Sequence, residues 1–280
     1  MFLTLDYNIF GVMTEMDLKY PIYITNAGGW RNQEPMHREK GFPDYQWIQT
    51  VSGAGQLEVG GKQYTVSEGQ GMFLLPNEKH GYAPIREPWT VKWITFNGAH
   101  MAELLSSMNF DASTILYLSN PDVTLNKINS IVSILQSEDP LRGAECSSLG
   151  YQLLLDLFLY ASRSEVRTKR QHAEQLAPAF LYMEAHYHEP ISLQQLADQL
   201  GVTPQHTCLL FQQTLGIRPF AYLTRFRLRK AKELLLEQPN AEVRDIARCV
   251  GYEDSSYFIK LFKKQEGLTP SSFRKIHRLN

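Results

Sequence analysis

The segment Asp245–Lys275 reads DIARCVGYEDSSYFIKLFKKQEGLTPSSFRK, and it decides the fold of the C-terminal part of the chain. Its first residues belong to a short amphipathic pattern that Gly251 breaks, since glycine readily takes the left-handed conformation that ends a helix. Asp254 then offers a side-chain oxygen as the N-cap of a second helix, and Phe258 and Phe262 lie on the inner face of that helix. A helix, a tight glycine turn and a capped helix together predict a helix-turn-helix unit.

The same arrangement occurs about fifty residues earlier, in the segment Leu193–Leu235, LQQLADQLGVTPQHTCLLFQQTLGIRPFAYLTRFRLRKAKELL. Its apolar residues recur with helical spacing up to Gly201, where the first helix is expected to end. Thr203 is a suitable N-cap for the next helix, and Pro204 is favoured at a first helical position. The sequence therefore predicts two helix-turn-helix units.

Both units end with the same spacing of Phe, Gly and Pro, at Phe211–Pro219 and at Phe262–Pro270. The residues between the two units predict one long helix, roughly Pro219–Glu237. This helix is basic and carries Arg225, Arg227, Arg229, Lys230 and Lys232. We therefore expect an all-α C-terminal domain in which one long helix joins two helix-turn-helix motifs.

The two segments resemble the AraC/XylS family of bacterial transcription regulators. Asp245–Lys275 is similar to the second helix-turn-helix signature of that family, and Leu193–Leu235 is similar to the first. The resemblance implies a sequence-specific DNA-binding regulator that is not an enzyme. A helical domain that binds only protein is the alternative, with its basic residues as ordinary solvated faces. The matched glycines, caps and terminal prolines favour double-stranded DNA as the partner.

The DNA-contacting residues follow from helical periodicity, because the side of each capped helix opposite the core is free to enter a major groove. The resemblance implies the same faces. They carry Gln205, Cys208, Leu209 and Gln212 in the first unit and Ser255, Ser256, Ile259, Lys260 and Lys263 in the second.

Side-chain chemistry suggests how these faces would contact DNA. Gln205 and Gln212 can each make paired hydrogen bonds to adenine, and Lys260 can reach guanine. Leu209 and Ile259 can pack on thymine methyl groups, although the family often has a basic residue at the position of Leu209, where a contact within the domain is an equal alternative. Phosphate contacts are expected from Lys263, Lys264, Arg227 and Arg229.

The charge of the chain is divided unevenly. Residues 1–169 hold 13 Lys and Arg against 18 Asp and Glu, a net charge of −5, whereas residues 170–280 hold 15 against 11, a net charge of +4. Only the second part would meet a polyanion with electrostatic help. The three cysteines, Cys146, Cys208 and Cys249, form no C-x-x-C pair. Together with the absence of a signal peptide or long apolar run, this predicts a cytoplasmic protein.

The N-terminal part predicts short antiparallel strands in a barrel or sandwich. β-rich runs such as Tyr45–Val51, Gln56–Val59 and Gly71–Leu75 alternate with turns over residues 20–98. Helical periodicity follows at 121–137 and 144–162, where an apolar stripe can pack on the barrel or pair with a second subunit; it comprises Leu149, Leu153, Leu154 and Leu157. We expect an α+β chain of two domains, 1–162 and 173–280, with a polar linker at 163–172.

The turns around Gly69–Gly71 resemble those of a cupin barrel, as in the ligand-binding half of sugar-sensing members of the same family. The resemblance implies a small-molecule effector, most simply a sugar or sugar derivative, together with a homodimer formed by the helices at 121–162 and contact with RNA polymerase. Arg38, Tyr82 and Trp93 match positions that line the family's sugar pocket. Val91 stands where some members have a histidine, so the same sugar need not be bound. For Trp93 and Arg38, a core position and a surface position respectively remain open alternatives.

A metal site is not expected, and neither is any other cofactor. His37 and His80 are the histidines within the barrel, with His100 just beyond, and they form no H-x-H pair. The alternative function is a cupin-type enzyme fused to a helical domain, and the missing ligand cluster argues against it.

Overall fold

The computed structural model describes residues 6–163 and 168–277. The chain divides into two compact units, Met1–Arg170 and Gln171–Asn280. The N-terminal unit is built mainly from strands and the C-terminal unit from helices. The predicted linker overlaps the first helix of the second unit, because that helix spans Lys169–His186. Within the described residues, no helix is long and apolar enough to cross a bilayer.

The N-terminal unit contains nine strands, three α-helices and one short 3-10 helix, Asp17–Lys19, among its described residues. The strands are β1 Tyr7–Phe10, β2 Tyr23–Trp30, β3 Met36–Arg38, β4 Tyr45–Val59, β5 Lys62–Ser67, β6 Gln70–Leu74, β7 His80–Asn97, β8 Thr114–Leu118 and β9 Ala161–Ser162. The helices are α1 Met101–Ser107, α2 Pro121–Leu135 and α3 Arg142–Tyr160.

The strands form one antiparallel sheet in the order β1-β2-β7-β4-β6-β8-β9, with β3 paired to β7 and β5 paired to β4. This path is open, so the closed barrel expected from the sequence is not formed by the described strands. The physical reason lies at the ends of the path. β1 has four residues and β9 has two, which is too short to close a barrel along its length. Helices α2 and α3 pack against β2 instead.

Strands β4 and β7 are long and bent where the sequence predicts separate short strands. The runs predicted at Tyr45–Val51 and Gln56–Val59 are parts of the single 15-residue strand β4. Its pairing with β7 shifts register between Thr50 and Gly55. Such bulges bend a strand without ending it. Gly53 has φ +79° within this stretch, which is a backbone conformation that glycine adopts readily.

Both faces of the sheet are buried. On one face Trp47, Phe73 and Phe96 pack with the helices, and the stripe predicted in α3 joins them because Leu153 and Leu157 are fully buried there. Alternate residues of the same strands form a second apolar cluster on the other face. The stripe therefore packs on the sheet of its own chain, which is one of the two alternatives that its periodicity left open.

The C-terminal unit consists of α4 Lys169–His186, α5 Leu193–Leu200, α6 Pro204–Leu215, α7 Pro219–Glu237, α8 Val243–Cys249, α9 Ser255–Glu266 and α10 Pro270–His277. Helices α5 and α6 form the first predicted helix-turn-helix unit, and α8 and α9 form the second. Two apolar clusters lie beneath them. Leu223 of α7 belongs to the apolar cluster beneath the first helix-turn-helix unit. Leu228 and Leu235 of the same helix belong to the cluster beneath the second helix-turn-helix unit.

The caps that the sequence predicts are made. Thr203 accepts a hydrogen bond from the His206 backbone N–H at 3.2 Å, and Asp254 accepts one from the Ser256 N–H at 2.7 Å. Gly201 and Gly251 have φ +63° and +83°, as their positions after a helix require. The caps and glycines join each pair of helices by a tight turn. The turn determines which faces of α6 and α9 are exposed to solvent.

Candidate functional site

Helix α6 presents one polar face to solvent. Gln205, Leu209 and Gln212 are exposed and Cys208 is half-buried, whereas Leu210 and Phe211 are buried on the opposite side. The predicted DNA-contacting residues of the first helix-turn-helix unit therefore lie on one accessible surface. Leu209 is 48% exposed, so its side chain is not held in the core of the domain.

Helix α9 repeats this arrangement. Phe258 and Phe262 are fully buried, while the opposite side presents the predicted residues: Ser256, Ile259, Lys260 and Lys263 are exposed, and Ser255 is half-buried. Tyr257 is 56% exposed beside them and was not predicted. Its position next to Ser256 on the same helix was the available signal, but a tyrosine there could equally have been assigned to the core.

The charge on α9 is available to a polyanion. In the described part of the chain, no carboxylate forms an ion pair with Lys260, Lys263 or Lys264. All three side chains are exposed. Positively charged side chains in this state can contact phosphates at no loss of an internal partner.

The basic residues of α7 do not act alike. Arg227 was expected to contact phosphate, and the structure contradicts this: its Nε donates to the Tyr187 carbonyl at 2.7 Å and its Nη2 donates to the Glu189 carbonyl at 2.7 Å. Its guanidinium also lies 5.4 Å from the centre of the Tyr252 ring. Arg227 therefore stabilises the fold. Arg229 remains exposed, 3.9 Å from Glu233.

A cavity of about 120 Å³ lies within the N-terminal unit. It brings together three of the four predicted effector residues, Arg38, Tyr82 and Trp93. Val91 lies outside its lining, fully buried in the apolar cluster of that face. The lining that the sequence did not single out is aromatic, apolar and polar: Phe10, Trp30, Met36, Phe42, Ile48, Asn8, Asn26, Gln33, Gln46 and Thr95.

The aromatic wall of the cavity is fixed by contacts within the unit. The Trp30 and Trp93 rings meet edge to face, with centroids 5.4 Å apart. The Trp93 indole N–H donates to the Asn26 side-chain oxygen at 2.7 Å, and the Asn26 amide donates to the Ile9 carbonyl in β1 at 3.0 Å. The Trp93 N–H therefore already has a partner, and the Trp93 ring lines the cavity.

The polar wall is less well satisfied. The Nε of Arg38 and the Oε1 of Gln46 are buried and make no hydrogen bond with any described residue. Buried polar atoms are nearly always paired, so two such atoms in one cavity indicate a place for a ligand. Gln46 was missed because a glutamine between Tyr45 and Trp47 looks like an ordinary strand residue. Only its strand register places it on the cavity side.

The histidines near the cavity contact different partners. The Nδ1 of His80 lies 2.8 Å from the Glu78 carbonyl, and burial lowers the pKa of this imidazole. His37 is exposed and contacts Glu39 at 2.7 Å, and His100 is exposed. Over residues 6–163 and 168–277, no three His, Cys, Asp or Glu side chains are grouped so as to hold a metal ion.

The three cysteines are unpaired thiols in different surroundings. Cys146 is buried, Cys208 is half-buried and Cys249 is exposed. Burial raises the pKa of the Cys146 thiol to about 12, so this group stays protonated as a small apolar packing residue.

Comparison with known proteins matches both units. Residues 27–154 match the family described as "AraC-like ligand binding domain", and residues 196–276 match "Helix-turn-helix domain". The MmsAB operon regulatory protein of Pseudomonas aeruginosa is 26% identical over 92% of this chain and 84% of its own length. The lactose operon transcription activator of Staphylococcus xylosus is 26% identical over 82% of this chain and 83% of its own.

The raffinose operon transcriptional regulatory protein RafR of Pediococcus pentosaceus is 28% identical over 80% of this chain and 82% of its own length. A ligand-binding domain followed by a helix-turn-helix domain defines a DNA-binding transcription regulator with a ligand-binding domain. The chain belongs to the AraC/XylS family of such regulators. The three relatives named above are operon regulators. The bifunctional transcriptional activator and DNA repair enzyme AdaA of Bacillus subtilis matches only 35% of this chain. The family therefore confirms that the chain is a regulator and not an enzyme, and it argues against the cupin-type enzyme considered as the alternative.

Proposed function

We propose that this regulator binds a sugar or sugar derivative in the cavity of its N-terminal unit and controls the genes that use that compound. The observation that carries the proposal is the cavity itself, which Arg38, Tyr82 and Trp93 line together. Two buried polar atoms of its lining, Arg38 Nε and Gln46 Oε1, have no hydrogen-bond partner among the described residues. The stacking ring of Trp93 suits the apolar face of a sugar, and the polar atoms suit its hydroxyl groups. Two of the relatives reported above are named for lactose and raffinose operons.

On the DNA side, α6 and α9 would enter successive major grooves, with α7 as the rigid connector. Gln205 and Gln212 would bind adenine, Lys260 would bind guanine, and Leu209 and Ile259 would pack on thymine methyl groups. The remaining polar positions on these faces, Cys208, Ser255 and Ser256, would contact the edges of the same bases. Lys263, Lys264 and Arg229 would contact phosphates, which adds affinity without sequence information.

Control by the ligand would pass through the N-terminal strand and a second copy of the chain. Asn8 and Phe10 of β1 line the cavity, so a ligand there touches the N-terminal segment directly. The outer surface of α3 carries Tyr151 and Leu159, which are 41% and 36% exposed, and it would form the dimer. In this proposal residues 1–162 of the N-terminal unit form a cupin-type sensor whose sheet curves round the ligand without closing.

The domain of residues 173–280 would bind DNA and contact RNA polymerase, and the whole would act in the cytoplasm. The test is to capture genomic DNA fragments on the full-length protein and sequence them. The proposal expects a few sharply enriched sites next to genes for uptake or breakdown of one compound, and that compound should change the protein's affinity for those sites. Uniform recovery of fragments, or sites whose binding no neighbouring substrate alters, would contradict it.

A further inference from the structure

The cavity in the sheet contains an unbalanced positive charge. Arg38 is the one charged side chain among the described residues that line it. Its Nε is buried and has no hydrogen-bond partner among the described residues, and its guanidinium rests 4.7 Å from the centre of the Phe42 ring. Arg38 as a whole is half-buried, so part of the side chain reaches solvent while the buried Nε lacks an acceptor. A carboxylate is the acceptor that suits a guanidinium best, because its two oxygens match the planar donors.

The carboxylates near Arg38 are used elsewhere. Glu39 follows it directly but contacts His37 at 2.7 Å and Lys79 at 2.7 Å, on the exposed side of the strand. These two partners hold the pKa of Glu39 at about 2. Glu78 accepts a hydrogen bond from the Ser113 hydroxyl. His80, which pairs with Arg38 in the register of β3 and β7, adds no negative charge.

The neighbour that Arg38 does have is a donor. Arg38 interacts with the Tyr82 hydroxyl, and burial raises the pKa of Tyr82 despite this contact. Because burial favours the protonated phenol, the Tyr82 hydroxyl can donate into the cavity. One end of the cavity thus offers two donors, the guanidinium and the phenol, to a single acceptor group.

A different part of the lining is an acceptor. Gln46 is 4% exposed, and its Oε1 has no donor among the described residues. A hydroxyl group of a ligand would satisfy it. The cavity of about 120 Å³ has room for roughly ten water-sized groups, which is the scale of one monosaccharide.

We propose that the effector is an acidic monosaccharide, a uronic or aldonic acid, whose carboxylate pairs with Arg38 and Tyr82 while a hydroxyl donates to Gln46. The inference rests on the proposed function, since it specifies the class of sugar bound by the same cavity. The carboxylate supplies the acceptor that the buried Nε of Arg38 lacks among the described residues. Arginine suits this role because its planar donors match the two carboxylate oxygens.

The test measures binding of matched ligands to the full-length protein by calorimetry and tryptophan fluorescence. The panel comprises D-galacturonate, D-glucuronate, D-galactonate and D-gluconate, the neutral sugars D-galactose and D-glucose, and the methyl esters of the two uronates. At least one acid should bind about tenfold or more tightly than its neutral counterpart, and esterification of a uronate should remove that advantage.

Variants assign the preference to its residue. Arg38→Gln should reduce the ratio of acid to neutral affinity to about one, while Arg38→Lys, which keeps the charge, should retain part of it. Gln46→Leu should weaken acid and neutral ligands by the same factor. Circular dichroism of each variant checks that the unit still folds.

Two outcomes overturn the inference, and they differ in what they leave standing. A neutral sugar that binds as tightly as its acid removes the inference but supports the proposed sugar sensor. If no member of the panel binds to protein that is folded and still binds DNA, the inference and the sugar part of the proposed function fall together.

Discussion

Arg227 and Arg229 lie on the same basic helix, and the sequence gives no reason to separate them. The structure places the Arg227 guanidinium against two backbone carbonyls and the Tyr252 ring, whereas Arg229 faces solvent. The two carbonyls are about forty residues from Arg227 in the chain, on the segment that follows α4, and Tyr252 lies between α8 and α9. Helical periodicity along one element cannot identify contacts of that kind.

Replacement of Arg227 by Ala should destabilise the C-terminal unit. The charge-assisted hydrogen bond to the Tyr187 carbonyl is partly buried, and the one to the Glu189 carbonyl is exposed. Their loss should lower the free energy of unfolding by roughly 2 kcal/mol. Urea denaturation monitored by circular dichroism measures this. Arg225→Ala is the matched control, since Arg225 is exposed on the same helix and should change stability by less than about 0.5 kcal/mol. Equal effects of the two variants would contradict the assignment.

Lys260 and Arg229 should differ in how they bind DNA. Lys260→Ala should lower affinity for the cognate site by roughly 1–3 kcal/mol and relax specificity at one base pair. Arg229→Ala should weaken cognate and unrelated sequences about equally, because a phosphate contact does not depend on the base. Fluorescence anisotropy on a set of single-base variants of the site provides the comparison. Indistinguishable profiles would refute the division between base and phosphate contacts.

The cavity shows what single residues could and could not reveal. The resemblance pointed to Arg38, Tyr82 and Trp93, and these three do line one cavity. Val91, named for the same reason, lies in the apolar cluster. The resemblance also could not show that the Trp93 N–H is used by Asn26. The resemblance to the family predicts which residues lie near the cavity. Burial and hydrogen bonds determine which of their groups are available to a ligand.

At the scale of elements, helices were easier to predict than strands. Caps and glycines mark the ends of α5, α6 and α9 locally, and Asp254 accepts the hydrogen bonds that its position predicts. The length of β4 depends instead on its partner. Residues 50–55 look like a turn because they contain glycines, yet β7 lies alongside and the chain continues as a bulged strand. The pairing of β4 with β7, which lies far away in the chain, cannot be predicted from the sequence of β4 alone.

The N-cap of α9 supports the second recognition surface. Asp254→Ala should leave the Ser256 and Tyr257 N–H groups without their acceptor and lower the free energy of unfolding by about 1 kcal/mol. Because α9 carries Lys260, affinity for DNA should fall as well. Glu253→Ala is the control, since Glu253 is exposed just before the cap. Chemical denaturation and anisotropy on the same samples give both quantities, and a wild-type value for Asp254→Ala in both would exclude a capping role.

At the scale of the whole molecule, the sequence predicted two separate units, and each has its own apolar clusters. The uneven charge of the two parts of the chain was an early sign of this division, since only the C-terminal part is basic. The fully buried aromatic residues divide in the same way: Trp47 and Phe96 belong to the first unit, Phe211 and Phe262 to the second. Whether the sheet closes into a barrel was not predictable from the sequence, because closure depends on the lengths of the end strands β1 and β9, which are short.

Since the units have separate cores, damage to the cavity should not unfold the DNA-binding helices. Arg38→Ala and Trp93→Ala should each shift the effector response by one to two decades in ligand concentration, the result of losing about 1–3 kcal/mol of binding. Both variants should still bind DNA without ligand. Ile85→Ala is the control, because Ile85 is 55% exposed on the same strand as Trp93. A normal response from both cavity variants, with their fold intact, would place the ligand elsewhere.

The most direct test of the central claim is a hydroxyl-radical footprint of the full-length protein on one of its captured DNA sites. Two recognition helices on one rigid domain should occupy successive major grooves, about 34 Å apart on one face of the DNA. Each bound domain should therefore protect roughly two helical turns of a non-palindromic sequence. Protection confined to one groove, or none that depends on sequence, would contradict the account.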